Sequence, residues 1–179
     1  MKFLAQGFFY PDNEEFIEKG SSALLGLAQD LKISLPQVDK IPTLLEHQSE
    51  FVRLFMAAPG GVPAPPYASY YINSQKLLFQ EGLEQVMEYY QKARLEPASK
   101  SEPPDHLSLE LALASHMIDS GHFALLDDFL HNHLLLWYPK FEKKLFNAGP
   151  SWWFKLLGQV TGKLLKQISS MEGGSYEKA

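Results

Sequence analysis

The sequence predicts an all-α fold, a single-domain helical bundle with proline-rich loops, and three observations carry that prediction. Leucine dominates, with 28 Leu against 11 Val plus Ile. Unbranched and γ-branched side chains keep their rotamer freedom in a helix, whereas strands favour β-branched ones. Apolar residues recur at three- and four-residue steps along most of the 179 residues, the pattern of one-sided helices, and no stretch alternates long enough to require a sheet.

The elements follow in order. A first helix is expected after Pro11-Asp12, with Glu15 placed to complete a capping box and Phe16, Ile17, Ala23, Leu24, Leu27 and Leu31 inward. Thr43 and Glu46 form a second capping box ahead of Leu44, Leu45, Phe51, Val52 and Phe55. Leu83, Val86, Met87 and Tyr90 mark a third helix. Asp105, after two prolines, reads as the N-cap of a fourth, whose two apolar stripes predict burial on most sides. A fifth runs from Phe123 to Trp137 and ends at Pro139, a short sixth holds Phe141, Leu145 and Phe146, and Ser151 caps a last amphipathic helix through Ile168. Residues 58–66 and 95–104 are too proline-rich to be helical, although neither has the composition of a domain linker. One domain is expected over 1–172, with a frayed tail at 173–179.

Composition excludes several function classes. The net charge of -5 leaves nothing to offset phosphate repulsion, so no nucleic-acid partner is expected. Without cysteine there is no disulfide, iron–sulfur cluster or thiol nucleophile. The start lacks the long apolar core of an export signal, and the longest apolar run, Leu134 to Tyr138, is far too short to span or insert stably in a membrane. A soluble cytoplasmic protein is expected. Residues 1–138 hold 9 basic and 18 acidic side chains, and 139–179 hold 7 basic and 3 acidic. Solvated helix faces account for such asymmetry in most proteins, but an acidic body also attracts basic ligands.

Catalytic and metal chemistry find little support. His131 and His133 point to different sides of one helix, and the pairs Asp119 with His122 and Asp128 with His131 read as solvated surface. Neither a Gly-x-Ser-x-Gly elbow nor a phosphate loop is present. No enzyme activity, metal or cofactor is expected. The aromatics say more: Tyr67, Tyr70 and Tyr71 directly follow the first proline-rich loop, where rigid amphipathic rings suit a peptide groove. In Glu102-Pro103-Pro104-Asp105-His106, capping explains the acid and the prolines but not His106, for which Glu110 is a candidate partner.

Several of these segments, in order and spacing, resemble a known family: Phe51-Val-Arg-Leu54-Phe55, Pro65-Pro66-Tyr67-Ala-Ser-Tyr-Tyr71, Gly82, Glu102-Pro103-Pro104-Asp105-His106-Leu107 with Glu110-Leu111, and Trp137-Tyr138-Pro139-Lys-Phe141. The family is that of the TorD/DmsD chaperones, related to the NarJ group. The resemblance implies an all-helical chaperone that binds the twin-arginine signal peptide, and in some members the body, of a molybdopterin-containing reductase precursor, delaying its export until the cofactor is inserted. It implies a peptide site made of Phe51, Leu54, Phe55, Tyr67, Tyr71, Gly82, Pro103, Asp105 and His106, and a monomer or domain-swapped dimer. Phe51 and Tyr67 stand where the DmsD branch commonly has tryptophan. The alternative is a helical adaptor that binds folded enzyme subunits without recognising the signal peptide. Burial of the peptide's apolar segment and attraction of its arginines by the acidic body predict an affinity that falls as salt rises.

Overall fold

The computed structural model describes residues 1–57, 59–72, 81–97 and 102–171. Among them the chain forms α1 (Lys2–Gly7), α2 (Glu14–Asp30), α3 (Leu44–Phe51), α4 (Ala68–Ile72), α5 (Glu81–Lys92), α6 (Leu107–Asp119), α7 (Phe123–Phe129), α8 (Leu135–Asn147) and α9 (Trp152–Ser169). Short π-helical segments, Val52–Met56 and Leu130–Leu134, follow α3 and α7. There is no strand among the described residues, only an isolated antiparallel bridge between Tyr67 and His106. The all-α class expected from leucine content and periodicity is the class observed. The tail at 173–179 lies outside the described residues.

Local chemistry explains most helix ends, and three of them correct the sequence reading. At α3, Thr43 and Glu46 form the expected reciprocal capping box. At α2 the cap is Asn13, not Asp12; its Oδ1 accepts from the N–H of Glu15 at 2.8 Å and of Phe16 at 3.4 Å. Glu15 is therefore one position too early for a capping box and pairs instead with Lys19. At α6 the cap is His106, whose Nδ1 accepts from Ser108 N–H at 3.2 Å. Asp105, displaced by one residue, turns to another helix.

The third correction concerns Pro139, which does not end a helix but lies inside α8, so the expected fifth and sixth helices meet there. A proline removes one i→i−4 hydrogen bond and crowds the carbonyl four residues back. Here Pro139 is the fifth residue of α8, which continues directly from the π-helical turn Leu130–Leu134. Two short helices, α1 and α4, were not legible at all. Each is too short to form on propensity alone and exists because it packs, α1 against α6 and α4 against α5.

The chain packs into two compact units, each built from separate stretches. One holds Met1–Phe8, Pro66–Lys140 and the residues from Leu165 on. Its centre is α6, buried on most sides as the double stripe predicted: Leu107, Leu109, Leu111, Leu113, Ala114 and Met117 are all covered. The other holds Phe9–Pro65 and Phe141–Leu164. It is organised by an aromatic cluster in which Phe55 meets Phe51 at 5.0 Å, Phe154 at 5.4 Å and Phe141 at 6.2 Å between ring centroids.

Candidate functional site

The Pro66–Ser69 and Asp105–Leu107 segments meet as a two-stranded clasp. Leu107 N–H donates to Pro66 O at 2.8 Å, and Ala68 N–H to Asp105 O at 3.0 Å. The Asp105 carboxylate then accepts from both the N–H (3.0 Å) and the hydroxyl (2.6 Å) of Ser69 at the start of α4. This is a charge-assisted cap supplied from 36 residues away. Tyr67 lies edge-on to the His106 ring at 5.0 Å and donates its hydroxyl to Glu102 at 2.9 Å. Burial and the neighbouring carboxylate of Glu102 push the Tyr67 phenol well above its usual range.

Of the predicted site residues in this unit, Tyr67 and Pro103 are half-buried, while Tyr71, Gly82, Asp105 and His106 are buried. Tyr71 stacks on Trp137 at 5.6 Å. Gly82 has a tight steric role: a Cβ there would come within 2.5 Å of Ser69 N and 2.9 Å of Ala68 C, so α5 crosses α4 backbone to backbone. His106 is pushed down by burial to about 4. That agrees with its cap geometry, since Nδ1 accepts a hydrogen bond only when unprotonated.

The remaining predicted residues belong to the other unit. Phe51, Leu54 and Phe55 are 4%, 0% and 4% exposed and pack among Tyr10, Phe141 and Phe154. Between them Arg53 reaches outward: its guanidinium forks onto Glu50 at 2.7 and 2.8 Å and donates to the carbonyls of Ala148 (2.9 Å) and Gly149 (3.2 Å). Glu50 also accepts from Ser151 N–H at 2.8 Å, so the pair ties the turn before α9 to α3. Burial works to raise the Glu50 carboxyl, but the bonds from Arg53 and Ser151 outweigh it and hold the group below its ordinary value.

Two arrangements escaped the sequence reading. Glu110 does not serve His106. Its two carboxylate oxygens meet His133 Nε2 at 2.8 Å and Trp137 Nε1 at 3.0 Å, and Gln85 Oε1 lies 3.3 Å from His133 Nδ1. Glu110 and His133 are both fully buried. Burial pushes the Glu110 carboxyl up, while His133 and Trp137 pull it down less strongly. The carboxylate thus joins α6 to the His133 ring and the Trp137 indole, a polar bolt inside the core.

The second is His47, which takes the inward place beside Phe51 on α3 while Leu45 is 72% exposed. Its ring stacks on Phe154 at 4.5 Å and meets Trp153 edge-on at 4.4 Å. Burial pushes it down to about 4, so it is neutral. The apolar steps Leu44 and Phe51 pointed to this face, but a histidine between them reads as surface from sequence.

Metal chemistry finds no seat: among the described residues no group of three His, Asp or Glu side chains could hold an ion. The surface pairs have other partners, Asp119 with Lys2 and His131 with Asp127.

Comparisons with known proteins agree with this architecture. The family model described as nitrate reductase delta subunit matches residues 16–143. The chaperone protein TorD of Psychrobacter sp. PRwf-1 is 35% identical over 139 residues, covering 72% of this chain and 60% of the relative. The proposed Tat proofreading chaperone DmsD of Haemophilus influenzae is 27% identical over 125 residues, covering 69% of this chain and 61% of the relative. The chain thus spans about three-fifths of the length of these curated relatives. A crystal structure of a proposed redox enzyme maturation protein from Archaeoglobus fulgidus superposes with a TM-score of 0.62 at 28% identity, covering 91% of this chain and 90% of that one. With its helical architecture and the match over 16–143 in agreement, this chain belongs to the nitrate reductase delta subunit family, the family of the TorD and DmsD chaperones.

Proposed function

We propose that this protein is a cytoplasmic chaperone, not a catalyst, that binds the twin-arginine signal peptide of a molybdopterin-containing reductase precursor and delays its export until the cofactor is in place. One observation carries the reading: the family match over 16–143 contains all nine proposed peptide-site residues, and the relatives matched over that region are named as chaperones. Two further facts are compatible with it. No helix among the described residues is long and apolar enough to cross a membrane. The half-buried Tyr67 and Pro103 offer ring and aliphatic surface beside the clasp.

Titration calorimetry against a panel of twin-arginine peptides, each with a Lys-Lys counterpart, tests the proposal. Saturable binding that weakens with salt and with the Lys-Lys change is expected. Binding that ignores both would remove signal-peptide recognition. A second reading, an adaptor for folded enzyme subunits, is favoured by the core burial of Phe51, Leu54 and Phe55, which leaves less open apolar surface for an extended peptide. Capture of the folded subunit with no affinity for its leader would select it.

A further inference from the structure

A cavity of about 630 Å³ opens between the loop preceding α3 and the turn preceding α9. Its volume is that of a small-ligand site, typically about 300–1,000 Å³. Its walls include Asp39, His47, Glu50, Arg53, Pro150 and Trp152. The charges on these walls are unequally used. Arg53 is spent on Glu50, and Lys40, which also lines the cavity, is spent on Glu46. Asp39 pairs with no cation among the described residues; its only bond is from Gln37 to Oδ1 at 3.0 Å. His47, 2% exposed, has no hydrogen-bond partner for either ring nitrogen among the described residues. With no protein partner and a place on the cavity wall, the ring can hydrogen-bond a ligand that enters.

The chemistry of the unused groups selects that ligand. With both cations neutralised in place, the surplus is one carboxylate and a neutral imidazole whose lone pair and N–H are both unpartnered among the described residues. Anions are therefore disfavoured, and a donor-rich cation fits. The half-buried indole of Trp152 and the ring of Pro150 add a flat apolar wall, which suits a planar guanidinium better than a compact, strongly hydrated ammonium.

We propose that this cavity receives an arginine side chain of the client's signal peptide, which donates to Asp39 and to the free nitrogen of His47 and lies against Trp152. The assignment rests on the chaperone reading above and gives it a second contact area, separate from the nine residues the family resemblance implied.

The test uses two probes on the full chain, N-acetyl-arginine amide and a twin-arginine peptide, with their lysine counterparts. Nuclear magnetic resonance follows the Trp152 indole N–H and the His47 ring, and calorimetry gives affinities for wild type, Asp39→Asn and His47→Phe. Asp39 is exposed, so its variant keeps the fold, and Phe retains the stacking of His47. Saturable shifts at both reporters are expected with the arginine probes. Asp39→Asn should weaken the twin-arginine peptide by about tenfold, as loss of a hydrogen bond to a charged group does. If the peptide binds while both reporters stay still, or Asp39→Asn binds as wild type, the cavity assignment is overturned and the chaperone reading survives. If the arginine amide fills the cavity but no twin-arginine peptide binds, the assignment to a signal-peptide arginine falls together with signal-peptide recognition. Silence from both probes removes both.

Discussion

His133 and His47 are buried alike, yet the two regions that hold them treat the imidazole in opposite ways. Around α6, His133 has a polar partner at each nitrogen, Glu110 and Gln85, and Trp137 donates to the other Glu110 oxygen. Around α3, His47 has two aromatic rings and an open cavity wall but no hydrogen bond among the described residues. A satisfied buried network fixes a packing arrangement, whereas an unsatisfied polar group raises the energy of the empty state and lowers it again when something binds. The first histidine therefore reads as part of the scaffold and the second as part of a site. The clasp of Pro66–Ser69 on Asp105–Leu107 shares both characters: His106 Nδ1 and Asp105 Oδ2 are engaged in capping, while Asp105 Oδ1 is buried without a partner.

The largest expected effect comes from breaking the polar bolt. Glu110→Ala strands His133 and Trp137 in the core, and denaturant unfolding should show a loss of about 3–5 kcal/mol, the usual cost of removing one partner of a buried pair. Leu54→Ala should cost about 2–5 kcal/mol by cavity formation, because Leu54 is fully covered. Weaker peptide binding by that variant reports on the pocket only if unfolding measurements show it still folded under the assay conditions. A loss below about 1 kcal/mol for Glu110→Ala would dissolve the contrast with His47.

Acid titration ranks next. His47 and His106 both lie near 4 in the folded chain against about 6.5 unfolded. Between those values the unfolded chain binds the extra protons, so stability falls as pH falls, by about 1.4 kcal/mol per pH unit for each fully shifted histidine. Unfolding free energies measured from pH 6.5 down to 5 should show that slope, and His47→Phe should remove about half of it. An unchanged slope would mean that His47 is not buried neutral. At pH 7.5 the same substitution is expected to be the mildest of all, within about 1.5 kcal/mol, since Phe conserves the stacking.

How far these features could be read beforehand depends on the distance over which each is set. The Thr43–Glu46 box and the double stripe of α6 were legible because three or four residues of local geometry determine them. The cap positions at Asn13 and His106 were each one residue from expectation. Adjacent residues there, Asp12 and Asn13 or Asp105 and His106, can all accept a backbone bond. Which one does so depends on where its neighbour is recruited, and Asp105 is recruited by Ser69. The endings of α2 and α5 gave no glycine to find: Lys32 and Arg94 take positive φ themselves, at 55° and 57°. The chemistry of His47 was hidden for a different reason, since nothing in its own segment reveals that Trp153 and Phe154 would close over it.

By itself the sequence determined the helical class, the inward face of most long helices and the ordered motifs that mark the family. Helical period and side-chain sterics act within a turn or two, so they are written into short stretches of residues. Tertiary structure alone decided which polar groups are partnered. Glu110 meets His133 across 23 residues, Asp105 meets Ser69 across 36, and Arg53 reaches Ala148 across 95. Burial makes the first two of those partnerships obligatory, because a polar group taken out of water must find a partner wherever the chain brings one. Asp39 and His47, neither paired with a cation among the described residues, give the proposed arginine site its chemistry.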